Sequence, residues 1–275
     1  MTDFNRVRAY YAAYNEWDRL STPEGRIEYD LTCELLETRI NPGSRVLDLG
    51  GGPGRYTVYL AGKGHQVTLA DLSPALLDIA RGKIDAHGVG ENVEDVREVN
   101  ATDLSDYPDD HFDAALCFGP YYHLTDKTER EQATAELSRV IKPDGVVFAA
   151  FAPRICGLTG LITRAAGHPD QVTAEVFRET ADTGIFRNAA SSGFQEGYYP
   201  EPAEMASLFE THGFTTVMLH SQKGIAYGLA DLLNTIEDQD ESLYEEIKNE
   251  IRSTAQNPEV IAHAGQALYV GRRNR

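Results

Sequence analysis

The stretch Arg45–Thr57 reads RVLDLGGGPGRYT. Apolar side chains alternate into an aspartate, and four glycines and a proline follow within five positions. A short apolar run entering glycines reads as a buried strand that turns sharply into a helix. Such a turn bares backbone N–H groups at the carboxyl edge of a parallel sheet, where a ligand can approach them. A phosphate-gripping loop of the GxxxxGK[ST] type needs a lysine followed by Ser or Thr, and none comes after these glycines. A dinucleotide loop needs glycine three residues after Gly52, where the chain has the bulky Arg55. What the stretch does contain is Asp48-x-Gly50-x-Gly52-x-Gly54, an acid two residues ahead of three evenly spaced glycines.

Outward from this stretch, short apolar runs alternate with helical ones. Residues 55–61 read as a helix, QVTLAD (66–71) as a strand, and 74–86 as a helix opened by Ser73. VEDVREVN (93–100) is a more polar strand, FDAALCFG (112–119) an apolar one, 125–141 a helix stopped by Pro143 and Gly145, and VVFAAFA (146–152) a strand. Strands separated by helices predict a parallel sheet covered on both faces. Before it, residues 3–39 read as two helices divided at Pro23, with an apolar stripe through Val7, Tyr10, Tyr11 and Tyr14. After it, residues 153–194 read as a mostly helical insertion, 202–212 as a helix, FTTVMLH (214–220) as a strand, 224–255 as a polar helical run, and ALYVGRR (267–273) as a last strand. With no repeat and no low-complexity linker, the expectation is one domain over 1–275. Its parts are an N-terminal helical lid (1–40), a core (41–152), a helical insertion (153–196), and a C-terminal part of the core (197–275) with a further helical insertion at 224–256.

Composition narrows the classes. A formal charge of −18, from 43 acidic against 25 basic residues, repels phosphate backbones and anionic lipid, and the only basic cluster is the terminal GRRNR. Nucleic acid and membrane are therefore disfavoured as partners. Cys33, Cys117 and Cys156 are far apart and in no CxxC spacing, so neither a disulfide framework nor a zinc site is expected, and the cysteines read as buried, reduced thiols. With no apolar leader and no run of 18 apolar residues, the chain reads as cytoplasmic.

On the motif DLGGGPG, the sequence resembles the class I S-adenosylmethionine-dependent methyltransferases, whose first motif is [DE]xGxGxG. The resemblance extends through QVTLAD, VNATDLS, FDAALCFGPYYHL and RVIKPDGVVFAAF, roughly residues 45–151. It implies an α/β, Rossmann-like seven-stranded sheet of order 3-2-1-4-5-7-6 with an antiparallel last strand, helices on both faces, and extra helical elements lying as a lid over the carboxyl edge. It also implies S-adenosylmethionine as cofactor, S-adenosylhomocysteine as product, and no metal. Asp48, Gly50, Gly51, Gly52 and Gly54 would hold the methionine end. Asp71, followed by Leu72, would accept from the ribose hydroxyls, although an acid here suits NAD equally. Asn100 and Ala101 stand where the family carries an acid and alanine against adenine, and the asparagine's amide oxygen is expected to accept the same hydrogen bond. Phe118 would close the fourth strand beside the methionine, with Tyr11 in the lid above the sulfonium.

Transfer by in-line displacement needs alignment and exclusion of water more than it needs an acid or base. His123, with Tyr122 beside it, is the candidate base, against the alternative of a packed or capping histidine. Tyr14, Trp17, Tyr121, Tyr198 and Tyr199 are the candidate acceptor contacts, against the alternative that the N-terminal aromatics form only a core stripe. The activity so implied is methyl transfer to an O, N or S nucleophile of a small molecule by a monomer or homodimer. Methylation of a protein or peptide, and a non-catalytic cofactor-binding regulator, are the alternatives.

Overall fold

The computed structural model describes residues 2–12, 16–190, 193–263 and 265–275. Helices α1 (Phe4–Ala12), α2 (Glu16–Arg19) and α3 (Pro23–Arg39) precede the sheet. Thr22 starts α3, its side chain accepting from the Gly25 N–H, and Pro23 sits where a missing N–H costs nothing. Then come β1 (Arg45–Leu49), α4 (Arg55–Gly62), β2 (Gln66–Asp71), α5 (Pro74–His87), β3 (Val93–Glu98), β4 (Phe112–Cys117), α6 (Lys127–Val140) and β5 (Ile141–Phe151). The remainder is α7 (Arg154–Gly167), α8 (Ala174–Thr183), β6 (Ile185–Arg187), β7 (Glu196–Tyr198), α9 (Pro202–Thr211), β8 (Phe214–Ser221), α10 (Ala230–Gln239), α11 (Glu241–Thr254), α12 (Pro258–His263) and β9 (Ala267–Arg273).

Seven of these strands form one sheet in the order β3-β2-β1-β4-β5-β9-β8. Counted among the sheet strands alone, this is the expected 3-2-1-4-5-7-6. The neighbours β3, β2, β1, β4 and β5 pair in parallel, and β9 runs antiparallel to both β5 and β8. β1 lies at the centre because both of its faces are covered. Leu47 and Leu49 join the core with Ala115, Cys117, Val147, Phe151 and Tyr269, while Val46 joins the opposite core with Leu36, Leu60, Leu116 and Phe148. A strand buried on both faces is apolar at nearly every position, hence the unbroken runs in the sequence.

Three expectations change. β5 starts at Ile141, five residues before the predicted strand, because Phe112 pairs with Ile141 and Ala114 with Val146, so the KPDG segment is an irregularity inside the pairing. The 153–196 insertion is not wholly helical: β6 and β7 form a two-stranded antiparallel hairpin over a small core of Leu161, Val172 and Phe186. The 224–256 helices do not roof the carboxyl edge. α10 and α11 pack on the outer side of α3, where Leu31 needs cover from Leu233 and Ile251, and ion pairs Arg26–Glu237 and Arg252–Glu34 rim that contact. All three cysteines are buried and free, and among the described residues no helix is long and apolar enough to cross a membrane.

Candidate cofactor and methyl-transfer site

The glycine turn after β1 is fixed from two sides. Gly50, Gly52 and Gly54 have φ of 72°, 55° and 81°, backbone that L side chains rarely adopt. A side chain on Gly50 would meet Pro120 Cδ at 2.5 Å, and one on Gly51 would meet the Asp48 carboxylate at 2.6 Å. The Gly52 N–H donates to Asp71 Oδ2 at 2.8 Å, and the Ser73 N–H to Asp71 Oδ1 at 2.8 Å, so the end of β2 clamps both the turn and the start of α5. Gly54 caps α4, close to Ala80 and Leu69 rather than to the cleft.

Above this turn lies a cleft of about 1020 Å³, counting its open mouth. Of the residues singled out from the sequence, it is lined by Asp48, Gly50, Gly51, Gly52, Asp71, Leu72, Asn100, Ala101, Phe118, Tyr11, Tyr122 and His123. Asp48 is fully buried. Its Oδ2 accepts from the Thr57 hydroxyl at 2.7 Å, while Oδ1 has no hydrogen-bond partner among the described residues. Burial, added to by the charge of Asp71, pushes its carboxyl up to about 6. Burial likewise raises Asp71, against the backbone N–H bonds that favour its ionised form. A buried carboxylate oxygen lacking a donor, beside a glycine cradle, suits a ligand that brings a cation and lies close to the backbone. The amino-acid end of S-adenosylmethionine is such a ligand, so the residues present fit it.

The upper wall comes from α1 and α2. Phe4, Val7, Arg8 and Tyr11 line the cleft from one face of α1, followed by Glu16, Arg19 and Leu20. The spacing 4-7-8-11 is that of a helix face, so this signal was present in the sequence. Three side chains pin this cover. Arg8 donates to the Leu72 carbonyl at 3.0 Å and to Glu98 at 2.7 Å. The Tyr11 hydroxyl lies 2.7 Å from His123 Nε2. Arg19 meets Glu28 at 2.9 Å and Glu16 at 2.9 Å. Burial works to lower the Arg19 pKa, but the two carboxylates hold it above the ordinary value.

His123 is buried among Tyr11, Tyr122 and Phe194, whose ring centroids are 5.3, 4.9 and 5.6 Å away. Burial lowers it to about 4. The ring is therefore neutral at pH 7: it does not repel an approaching sulfonium, and it is a weaker base than the sequence suggested.

The other aromatic candidates lie elsewhere. Trp17 packs outside the cleft, with Arg55 5.0 Å and Lys83 4.4 Å from its ring, anchoring α2 to α4 and α5. Tyr121 is core, its hydroxyl bonded to Thr134 at 2.7 Å and its ring against Phe209. Tyr198 stacks under the Arg130 guanidinium at 3.7 Å, and Tyr199 packs on Gly157 of α7. Tyr14 lies outside the described residues. Large aromatic side chains pay most when buried against neighbours, and sequence order alone does not say which neighbours those are. Among the described residues no group of three or more His, Cys, Asp or Glu could hold a metal.

Comparison with known proteins agrees with this geometry. The sequence model of a methyltransferase-domain family matches residues 46–145. A ubiquinone/menaquinone biosynthesis C-methyltransferase UbiE of Psychromonas ingrahamii is 37% identical over 146 residues, 52% of this chain and 54% of the relative, so that match spans about half of the relative's length. The protein of the same name from Azotobacter vinelandii is 31% identical over 226 residues, 80% of this chain and 84% of the relative. Among solved structures, a SAM-dependent methyltransferase from Methanosarcina mazei superposes with a TM-score of 0.61 at 17% identity, covering 87% of this chain and 97% of the other. The glycine turn, the acid at the end of β2, the sheet order and these matches together place the chain in the class I S-adenosylmethionine-dependent methyltransferases.

Proposed function

We propose that this chain transfers the methyl group of S-adenosylmethionine to a small, partly apolar molecule held beneath α1 and α2. The observation that carries the reading is the single cleft that joins the glycine turn and unpartnered Asp48 Oδ1 to a wall of Tyr11, Tyr122 and His123. When bound, the cofactor supplies a methyl carbon on a cationic sulfur, already activated for displacement. The protein's share is placement. Asp48 neutralises the amino group, Asp71 orients the ribose, Asn100 and Ala101 border the base, and Phe118 borders the methionine. Such fixing of partners supplies about 7–11 kcal/mol of a barrier of this kind.

Tyr122 and His123 face the transfer position. The neutral imidazole, hydrogen-bonded to Tyr11, serves better to orient a polar acceptor and shield the reaction from water than to remove a strongly held proton. We read α1 and α2 as a lid, whereas α3, expected to be part of it, packs on the sheet through Leu35 and Leu36, and the 153–196 insertion is the lid's buttress through Phe194 against Tyr10 and His123. An enclosing wall of this kind favours a small molecule over a protein or peptide acceptor.

The accepting atom in our first reading is O, N or S. Carbon, the atom in the relatives' name, is the second. Calorimetry with S-adenosylhomocysteine tests the cofactor reading: micromolar binding is expected, with Asp71→Ala losing at least about 100-fold because a buried charge-assisted contact and the Gly52 tether go together. No binding at high micromolar ligand rules the reading out. Incubating cell metabolites with ¹³C-methyl-labelled cofactor then gives the acceptor as the product that carries the label, and the labelled methyl's NMR shift tells C-, N-, O- and S-methyl products apart.

A further inference from the structure

Glu16 opens α2, and no motif in the sequence marked it out. It lines the cleft beside Arg19 and Leu20, in the same cavity as Asp48 and Asp71 of the floor. Its Oε2 accepts from Arg19 Nε at 2.9 Å, and no described residue is hydrogen-bonded to Oε1. Arg19 does not cancel this charge, because both oxygens of Glu28, a side chain 3% exposed, accept from its Nη1 at 2.9 and 3.0 Å. Lys223 lies 3.6 Å from Glu28 and is itself bonded to Glu24 at 2.9 Å. The cluster therefore sets three carboxylates against two cations, and of the three carboxylates only Glu16 lines the cleft. Burial pushes up the carboxyl of Asp71 and the phenols of Tyr11 and Tyr122, and the charge of Glu16 adds to the rise at all three. The Glu16 carboxylate is thus within electrostatic reach of the floor at Asp71 and of the wall at Tyr11 and Tyr122.

The sulfur of S-adenosylmethionine is bonded both to the ribose and to the methionine chain, the portions assigned above to Asp71 and Asp48. Resting on that cofactor reading, we propose that Glu16 reads the sulfonium charge from the lid, attracting the cationic substrate form of the cofactor and not the neutral product form. A sulfonium has no N–H or O–H to donate, so a carboxylate recognises it by charge alone. When the methyl passes to the acceptor, the acceptor's electron pair makes the new bond to carbon. The pair of the broken sulfur–carbon bond stays on sulfur, which becomes a neutral thioether. The attraction to Glu16 ends with that step, whereas the contacts assigned to Asp48 and Asp71 are open to both forms. Glu16 thereby gives α2 a hold on the substrate form that the product form lacks, and this favours release of the product.

The test measures binding, not turnover. Calorimetry without acceptor compares S-adenosylmethionine, the cation, with S-adenosylhomocysteine, the neutral ligand. Glu16→Gln removes the charge and keeps an oxygen for Arg19 Nε, while Glu28 still holds Arg19. It is expected to weaken S-adenosylmethionine by about 10-fold and to change S-adenosylhomocysteine by less than about 2-fold. Glu16→Asp, which keeps the charge, is expected to bind S-adenosylmethionine within about 3-fold of the wild-type protein, a rescue that a packing role would not give. An equal loss for both ligands, the mark of a ribose contact or of a loosened lid, overturns the proposal, as does no loss for either. If the wild-type protein binds neither ligand, the cofactor reading falls and this inference with it. If it binds both in an Asp71-dependent way and Glu16→Gln leaves the ratio of their affinities unchanged, only the inference falls.

Discussion

The floor and the cover of the cleft are held by different physics. The floor is β1, the glycine turn and the ends of β2 and β4, where Asp48, Leu47, Leu69 and Cys117 are sealed from solvent and Asp71 clamps Gly52 by a buried hydrogen bond. In the cover, α2 is anchored by Trp17 among cations and by Arg19 on the buried Glu28, whereas α1 is held by the Arg8–Glu98 ion pair, whose side chains are 39% and 46% exposed, and by Tyr11 on His123. Buried, interlocked contacts are expensive to break, whereas exposed pairs contribute about 0–1 kcal/mol each. A floor built on buried contacts and a first helix held in part by an exposed ion pair suit a protein that must orient a cofactor and also exchange it.

The sharpest way to break this comparison is through His123, at the junction of the two regions. Its pKa near 4 in the folded protein lies below the value of about 6.5 for an exposed histidine, so the unfolded chain takes up the proton first. Its contribution is therefore fully present above pH 6.5 and is lost as pH falls from there towards 4, up to about 3 kcal/mol. Urea unfolding at pH 7.5 and 4.5 should show that His123→Gln loses much of this dependence. Asp48, raised to about 6, acts in the opposite sense between about pH 4 and 6, which makes the difference between variants the informative quantity.

Next in size is Gly50→Ala. With φ at 72° and Pro120 Cδ 2.5 Å from the new Cβ, it is expected to cost about 1–3 kcal/mol of stability and to weaken S-adenosylhomocysteine roughly 100-fold, read by thermal melting and calorimetry. A mild effect on both would mean that the floor yields, contrary to the contrast drawn here.

A smaller effect follows from Asp48. Since the carboxyl is protonated below about pH 6, S-adenosylhomocysteine affinity should fall as pH drops through 6, by up to about 10-fold per unit, and binding at pH 6 should release protons, detectable by calorimetry in buffers of different ionisation enthalpy. Affinity flat from pH 5 to 7.5 would remove Asp48 from the ammonium contact.

The smallest concerns the cover. Arg8→Ala should speed S-adenosylhomocysteine release by about 3–10-fold, since one exposed ion pair and one charged hydrogen bond to the Leu72 carbonyl are lost together. Trp17 is the only tryptophan, and its place in the cover between Arg55 and Lys83 makes its fluorescence a built-in reporter of that step.

The same division explains what was legible in advance. The floor is written in local rules: an apolar run is a doubly covered strand, glycines mark left-handed turns, and an acid at a strand end faces the sheet's edge. RVLDLGGGPGRYT, QVTLAD and ALYVGRR could therefore be read to within a residue or two. By itself the sequence determined the sheet, its order through the resemblance, the turn, and most of the residues that line the cleft after β1 and β2. Tertiary structure alone decided the fate of the aromatics. Tyr11 entered the cleft while Trp17, Tyr121, Tyr198 and Tyr199 went to packing, because each ring goes where distant neighbours leave room to bury it. It also decided that α10 and α11 cover α3 instead of the cleft. These outcomes depend on contacts between residues far apart in the chain, and no local pattern carries them.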